Sequence, residues 1–265
     1  MDTNKNSYTI IYTIVLVAVV ATILAVVSTL LKPVQQTNIV VEKQMNILSS
    51  AFLAADAGNA SDKNSYIQEQ FARFVKEGIV VNANGDVIKS DNENIAQSDA
   101  FKISPAEQFD IMRKIASAKD EQQAQQLREQ LQLPVFICDT PEGKKYILSC
   151  YGSGLWGPIW AYISVNNNLS TIYGALFDHK SETPGLGGEI VTDNFRNQFV
   201  DKVIVEGGAI SHIKVVKGGA KDKAHEIDAL SGATITSNAV QSMISMWLEY
   251  YMPYLQKLSQ TTNAE

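Results

Sequence analysis

The most apolar stretch of the chain is an uninterrupted run at residues 8–31 that contains no charged side chain. As a helix, these 24 residues reach roughly 36 Å. A hydrocarbon core is about 30 Å thick, so the run is long enough to cross a membrane. It also exceeds the apolar core of a cleaved signal peptide, which is about 7 to 15 residues. We therefore predict an uncleaved transmembrane helix over residues 8–31, ended by Lys32 and Pro33.

Residues 32–133 alternate between helical and strand-like patterns. Apolar positions three and four residues apart predict helices, and short β-branched runs around an Asn/Gly turn predict a pair of strands. The predicted elements are a helix over 41–55, a helix over 65–76, strands at 79–81 and 87–88, a helix that begins at Ser104 and Pro105, and a solvated helix within 118–132. We interpret this segment as a helical linker with a small α/β portion.

From residue 134 onward, short β-like runs are separated by Gly, Pro and Asn turns. The runs lie at residues 135–138, 146–148, 159–165, 171–177, 203–205 and 213–216. A helical pattern is inserted at residues 190–200, and the last long helix carries one apolar stripe, formed by Val240, Met243, Ile244, Trp247, Leu248, Tyr251 and Leu255. These elements predict an α+β fold in which a curved antiparallel sheet is flanked by helices over residues 134–256, with a tail over 257–265.

Composition excludes several classes of function. The 22 Lys and Arg residues against 28 Asp and Glu give a net charge of −6 without a basic cluster, which argues against nucleic-acid binding. No G-x-G-x-x-G loop follows a strand, so we do not expect this chain to bind NADH. Cys138 and Cys150 are expected to be buried free thiols, with a single disulfide left open. The three histidines share no metal-ligand spacing, and we predict no metal site.

The stretch from Asp228 to Thr236 carries the clearest candidate chemistry. Gly232 and Ala233 leave the backbone sterically open, while Ser231, Thr234 and Thr236 supply hydroxyl groups. The helix that follows points its unpaired N–H groups and positive dipole end toward them, an arrangement that suits a phosphate. The alternative interpretation is an ordinary helix cap and turn.

The order Asp228-x-x-Ser231-Gly232-Ala233-Thr234 resembles the flavinylation signature of FMN-binding domains. The resemblance implies that Thr234 carries FMN through a phosphoester and that Asp228 belongs to the sequence recognised by a flavin transferase. Two more segments, at 154–158 and 182–187, resemble the parts of this family that cradle the isoalloxazine ring. With the membrane helix and the length of the chain, these segments resemble the NqrC family, whose members are the C subunits of sodium-translocating NADH:quinone reductases.

The resemblance also implies roles for single residues. Leu155 and Trp156 would lie against the ring on one side, and the second wall would be formed by Glu182, Thr183, Gly185 and Leu186. Ser231 and the helix start, with Gly232, Ala233 and Thr236, would hold the phosphate. Lys217 would place a positive charge near the flavin or its phosphate. From the residues alone, Trp156 fits a core tryptophan and Lys217 a solvated lysine at a strand end.

By resemblance, the chain is an electron-transfer subunit of a sodium-pumping respiratory complex in the bacterial inner membrane, without a catalytic residue of its own. Its implied partners are subunits B, D and E, the flavin transferase and membrane lipid. Lys5 before the span and Lys32 and Lys43 after it leave the orientation nearly tied by charge. The resemblance implies a cytoplasmic tail at residues 1–7 and a periplasmic FMN domain.

Two alternatives stay open at this point. The first is the FMN-carrying RnfG chain of an Rnf-type ferredoxin:NAD oxidoreductase, which shares the Ser-Gly-Ala-Thr and Gly-Leu-Trp-Gly motifs. Those chains typically lack much of the segment between the anchor and Val135, so the length of this chain favours the quinone reductase. The second is a membrane-anchored binding module without redox function, in which the Ser/Thr turn only caps a helix.

Overall fold

The computed structural model describes residues 6–262. Residues 1–5, which include Lys5, and 263–265 lie outside the described part. The chain separates into two compact units, Met1–Lys43 and Gln44–Glu265. Each unit is described by itself.

The first unit consists of the apolar part of a long helix, α1, which spans Asn6–Ser50. Its most apolar window has a mean hydropathy of 3.0, and none of that window is buried. The prediction that the helix ends at Lys32 and Pro33 is wrong, because α1 continues through Pro33. Proline removes one backbone donor from a helix, and long helical segments on both sides can bridge that loss. The hydroxyl of Thr37 donates to the carbonyl of Pro33 at 3.1 Å.

The predicted helix over 41–55 is therefore not a separate element. Its first part is the end of α1, and a 3₁₀ turn follows at Ala55–Gly58. The helices of the second unit are α2 (Lys63–Phe74), α3 (Asp99–Lys102), α4 (Pro105–Ala116), α5 (Glu121–Arg128), α6 (Asp193–Arg196) and α7 (Thr234–Thr262). The long strands are β1 (Val75–Val81), β2 (Val87–Asp91), β3 (Leu133–Thr140), β4 (Gly143–Ser153), β5 (Pro158–Asn166) and β6 (Ile172–His179). Four short strands follow, namely β7 (Val205–Glu206), β8 (Ala209–Ile210), β9 (Lys214–Val216) and β10 (Glu226–Asp228).

Six strands form one antiparallel sheet in the order β2-β1-β3-β4-β5-β6. Irregularities in register at Val80/Val81 and Ser164/Val165 interrupt the ladders, as bulges that bend a sheet do. The predicted α+β class with an antiparallel sheet is confirmed. The sheet runs across the predicted boundary at residue 134, since Ile79 of β1 pairs with Val135 of β3.

Helix α7 packs along the sheet through the apolar stripe seen in the sequence. Trp247 and Tyr251 are fully buried. The indole N–H of Trp247 donates to the carbonyl of Tyr151 at 2.7 Å, and the phenol of Tyr251 donates to the carbonyl of Pro134 at 2.8 Å. Because buried polar groups need such partners, these two bonds fix the position of α7 on β3 and β4. The first residue of α7, Thr234, is thereby held in place.

Other expectations agree with the structure in part. The predicted helix over 190–200 is broken into α6 with 3₁₀ turns at Gly187–Val191 and Asn197–Phe199. Packing explains the break, because Phe195 and Phe199 both pack against Phe177, with ring centroids 5.6 and 4.7 Å away. The prediction of strands at 203–205 and 213–216 is confirmed only as short pieces, β7 and β9.

The cysteine prediction is also confirmed. Cys138 and Cys150 are buried free thiols. Burial raises the pKa of both thiols well above the ordinary value, so both stay neutral.

Candidate functional site

The signature residues form a tight turn that leads directly into α7. The N–H of Ala233 donates to the carbonyl of Leu230 at 3.1 Å, which closes the turn. Gly232 adopts a φ of +74°, a left-handed conformation that favours glycine. Helix α7 begins at Thr234, so the first N–H groups of the helix lack intrahelical acceptors and face this turn.

Four hydroxyl groups lie in or next to this turn, and the structure separates them into two pairs. Thr236 and Ser237 are buried, with exposures of 1% and 0%. The Ser237 hydroxyl donates to the carbonyl of Ala233 at 2.9 Å and accepts the N–H of Leu230 at 3.0 Å, so it stabilises the turn from inside. Ser231 is exposed and Thr234 is half-buried. The outward hydroxyls are therefore those of Ser231 and Thr234.

Leu155 and Trp156 are the central residues of the hairpin turn between β4 and β5. The N–H of Gly154 donates to the carbonyl of Gly157 at 2.7 Å and closes that turn. The two side chains point outward, and their exposed fractions are 45% for Leu155 and 66% for Trp156. The interpretation of Trp156 as a core tryptophan is therefore wrong. The backbone of Trp156 is nevertheless held, because its carbonyl accepts the hydroxyl of Ser181 at 2.9 Å.

Glu182 connects the hairpin turn with the start of α7. Its side chain is 3% exposed. One carboxylate oxygen, Oε1, accepts the N–H of Trp156 at 2.9 Å. The other, Oε2, accepts the hydroxyl of Thr236 at 2.6 Å. A single buried carboxylate therefore joins segments that lie 26 and 54 residues from it in the sequence.

The charge state of Glu182 follows from these contacts. Burial raises the pKa of the carboxyl, but the hydrogen bond from the Thr236 hydroxyl opposes burial. The backbone N–H groups of Trp156 and Leu155 lower the pKa further. The balance holds the pKa below its ordinary 4.5, so Glu182 is ionised at neutral pH.

The turn after Glu182 forms a second side of the site. The carbonyl of Thr183 accepts the N–H groups of Leu186 and Gly188, at 3.1 and 2.9 Å. Gly185 sits at the tip with a φ of +75°, and its N–H donates to Glu189 at 3.0 Å. Leu186 is 42% exposed and lies next to the signature turn, where a Cβ on Gly232 would come within 2.8 Å of it.

Asp228 and Lys217 lie at one edge of the signature turn. Strands β9 and β10 run parallel with Val216 opposite Asp228, so Lys217 follows directly at the same edge. The Asp228 carboxylate accepts the N–H of Ala220 at 2.5 Å, and its own N–H donates to Gln198 at 2.7 Å. Lys217 is exposed. The roles predicted for these two residues toward a transferase and a phosphate stay predictions.

Sequence reasoning missed two contributors to this site. Ser181 holds the carbonyl of Trp156, and no local pattern indicates a contact between residues 25 positions apart. Ile235, next to Thr234, is 59% exposed. A signal was available for it, because Ile235 is an apolar residue outside the buried stripe of its helix.

Comparison with known proteins places this site in a family. Residues 154–249, which contain the hairpin turn, Glu182 and Thr234, match the family described as FMN-binding domain. The chain is 31% identical to the C subunit of the Na⁺-translocating NADH-quinone reductase of Haemophilus ducreyi, over 98% of both chains. The crystal structure of the same-named subunit from Parabacteroides distasonis has a TM-score of 0.64 at 33% identity, covering 85% of this chain and 96% of that one. NqrC from Shewanella oneidensis has a TM-score of 0.59 at 26% identity, covering 84% and 97%.

The lowered pKa of Glu182 makes a prediction about stability. A carboxyl with a lowered pKa in the folded state contributes stability that is present above its unfolded-state pKa and is lost as the pH falls through its folded-state value. The difference in free energy of unfolding between the wild type and Glu182→Gln should therefore be constant near neutral pH and shrink below about pH 4.5. Chemical unfolding of both proteins across this range measures the difference. Parallel curves at all pH values would contradict the assigned charge.

Proposed function

The chain belongs to the NqrC family, the C subunits of Na⁺-translocating NADH-quinone reductases, and on this basis we propose that it carries FMN in covalent linkage to Thr234. Members of this family are subunits of an oxidoreductase complex, so the chain works as one part of an electron-transfer path. FMN supplies one- and two-electron redox chemistry that amino-acid side chains do not offer. The protein contributes binding, orientation and the electrostatic surroundings.

One observation carries this proposal. Large apolar side chains surround the start of α7 and remain exposed, although the domain buries most others. They are Leu155, Trp156, Leu186 and Ile235, with exposed fractions between 42% and 66%. An exposed apolar patch of this kind is typical of a ligand-binding surface. A flat aromatic ring placed against Trp156 and Leu186 would remove these side chains from water, and so the residues present fit the flavin.

The anchor is the hydroxyl of Thr234. Thr236 and Ser237 are buried and engaged in hydrogen bonds inside the protein, so neither presents a hydroxyl at the surface. Thr234 is half-buried at the positive end of α7, where a phosphate is favoured by the helix dipole and by N–H groups without intrahelical partners. Ser231 and the exposed ammonium of Lys217 support the phosphate from the neighbouring turn.

The apolar part of α1 anchors the chain in the bacterial inner membrane. The N-terminus lies on the cytoplasmic side and the FMN domain on the periplasmic side. Subunits B, D and E of the complex are the partners in electron transfer, and a flavin transferase attaches the cofactor through recognition of the stretch from Asp228 to Thr234. These assignments rest on family membership and on the hydropathy of residues 8–31.

The two alternatives are disfavoured. Similarity to NqrC extends over 98% of the chain, including residues 32–133, whereas the Rnf-type interpretation accounts for the C-terminal domain alone. A binding module without redox function would have no need for an apolar surface that converges on a half-buried hydroxyl at a helix start.

Replacement of the anchor tests the proposal directly. Thr234→Val nearly keeps the shape of the side chain and removes one outward hydroxyl, so the protein should fold, insert into the membrane and lack covalent FMN. Flavin fluorescence of the denatured protein, together with the mass of the tryptic peptide that contains Thr234, measures attachment. Thr236→Val is the matched control and should keep its flavin. Loss from Thr236→Val alone would move the attachment site by two residues.

A second prediction concerns Trp156. Because its side chain is mostly exposed without flavin, Trp156→Ala should change the free energy of unfolding of the flavin-free protein by no more than about 0.5 kcal/mol. The variant should keep covalent FMN, since the anchor is Thr234, and the flavin should become more accessible to a soluble quencher. Ile88→Ala, on the exposed strand β2, is a control of similar exposure. Equal quenching in wild type and Trp156→Ala would refute the contact with the ring.

Topology gives the third test. A reporter fused after Glu265 should be active on the extracytoplasmic side of the membrane, because a single apolar span separates the two ends of the chain. The same reporter fused before Met1 should be active in the cytoplasm. The reverse pattern would invert the orientation proposed above.

A further inference from the structure

Thr236 has a different environment from the other threonine of the signature. Its side chain is 1% exposed, and its hydroxyl donates to Glu182 Oε2 at 2.6 Å. Thr234, two residues earlier, is half-buried and faces outward. Because residues two apart lie on different sides of a helix, the two hydroxyls cannot serve one phosphate in the same way. The function of the Thr236 hydroxyl must therefore be sought at Glu182.

The Glu182 carboxylate has no room to move. A Cβ on Gly154 would lie within 2.5 Å of Oε1. A Cβ on Gly187 would overlap Oε2 and would come within 2.5 Å of the Thr236 hydroxyl oxygen. Glycine is thus needed on both sides of the carboxylate, at positions where the backbone approaches it closely. The hydrogen bonds and these two glycines together define one position for the charge.

The contacts of Glu182 extend to the segments that face the flavin. Its Oε1 accepts the N–H of Trp156, and the N–H of Leu155 also donates to the carboxylate. Both residues expose their side chains in the hairpin turn. On the other side, Oε2 is bound to the first turn of α7, the helix that starts with Thr234. The carboxylate therefore links the two parts of the site that contact different ends of the cofactor.

We infer that Thr236 is a positioning residue: through the buried, ionised Glu182 its hydroxyl fixes the Leu155–Trp156 turn relative to the anchor helix and holds a negative charge beside the flavin. This inference rests on the proposed function, in which Leu155 and Trp156 contact the ring and Thr234 binds the phosphate. It assigns to Thr236 a role distinct from phosphate binding.

A fixed negative charge has a defined effect on a bound flavin. Reduction adds electrons to the ring, and a nearby carboxylate disfavours that gain by Coulomb repulsion, which is stronger in a buried, low-dielectric surrounding than in water. The charge of Glu182 therefore lowers the reduction potential of the flavin. A carboxylate that is no longer held by Thr236 can turn toward water or take up a proton, and either change weakens its effect on the ring.

The test uses the full-length protein with its covalent FMN, purified in detergent, as wild type, Thr236→Val, Thr236→Ser and Glu182→Gln. Two quantities are measured: the flavin reduction potential and the hydrogen-exchange rate of the Trp156 amide. Thr236→Val should exchange this amide about ten-fold faster, the change expected on losing a hydrogen bond to a charged group. Its potential should shift in the positive direction. Glu182→Gln should shift the potential further in the same direction, because it removes the charge.

Thr236→Ser is the matched control, since it keeps the hydroxyl and removes one methyl group. It should restore both the exchange rate and the potential to near the wild-type values, which a loss of packing alone would not do. If Thr236→Val does not fold, the same two measurements on Thr236→Ser and Glu182→Gln decide the question. Wild-type exchange and potential in Glu182→Gln would overturn the inference.

The outcomes also separate this inference from the proposed function. Covalent flavin that persists in Thr236→Val with an unchanged potential and unchanged Trp156 exchange would refute the positioning role and leave the anchor intact. Covalent flavin that is lost from Thr236→Val and kept in Thr234→Val would refute the anchor assignment itself.

Discussion

The buried carboxylate of Glu182 is the interaction on which the geometry of the site depends. An ionised group in the interior is costly unless its oxygens are hydrogen-bonded, and both oxygens of Glu182 have partners. Those partners come from the β4–β5 hairpin turn and from the first turn of α7. Because the cost of leaving the charge unpaired is large, the two segments are held together whenever the domain is folded. The site is thus organised by one charge and its donors.

The sheet and α7 provide the frame for this interaction. Trp247 and Tyr251 are buried and donate hydrogen bonds to backbone carbonyls of the sheet, so the helix cannot slide along it without losing both bonds. The start of α7 is therefore placed by residues about four helical turns away. At the other end of the helix, Lys257 forms an ion pair with Asp86 in the β1–β2 turn, at 2.5 Å. The strands before residue 134 thus take part in supporting the helix that carries Thr234.

The surface of the site divides into a polar and an apolar part, as a flavin requires. The polar part is the signature turn, with outward hydroxyls at Ser231 and Thr234 and the positive end of α7. The apolar part is formed by Leu155, Trp156 and Leu186, which are exposed in a domain whose other large apolar side chains are mostly buried. A phosphate and an isoalloxazine ring differ in the same way. This match of chemistry makes the domain a carrier of a redox cofactor in a larger complex.

The sequence by itself determined the features that depend on local pattern. An uncharged apolar run produced the membrane helix, alternating runs produced the sheet, and the apolar stripe produced the buried face of α7. Residues with special backbone or side-chain properties, such as Gly232 in its turn, marked the site itself. Only the tertiary structure decided that Thr236 faces inward, that Trp156 is exposed, that α1 continues past Pro33 and that β1 and β2 join the main sheet. These outcomes depend on contacts such as the one between Glu182 and Thr236, 54 residues apart, which leave no periodic trace because hydrogen bonds between distant segments are selected by packing and not by local spacing.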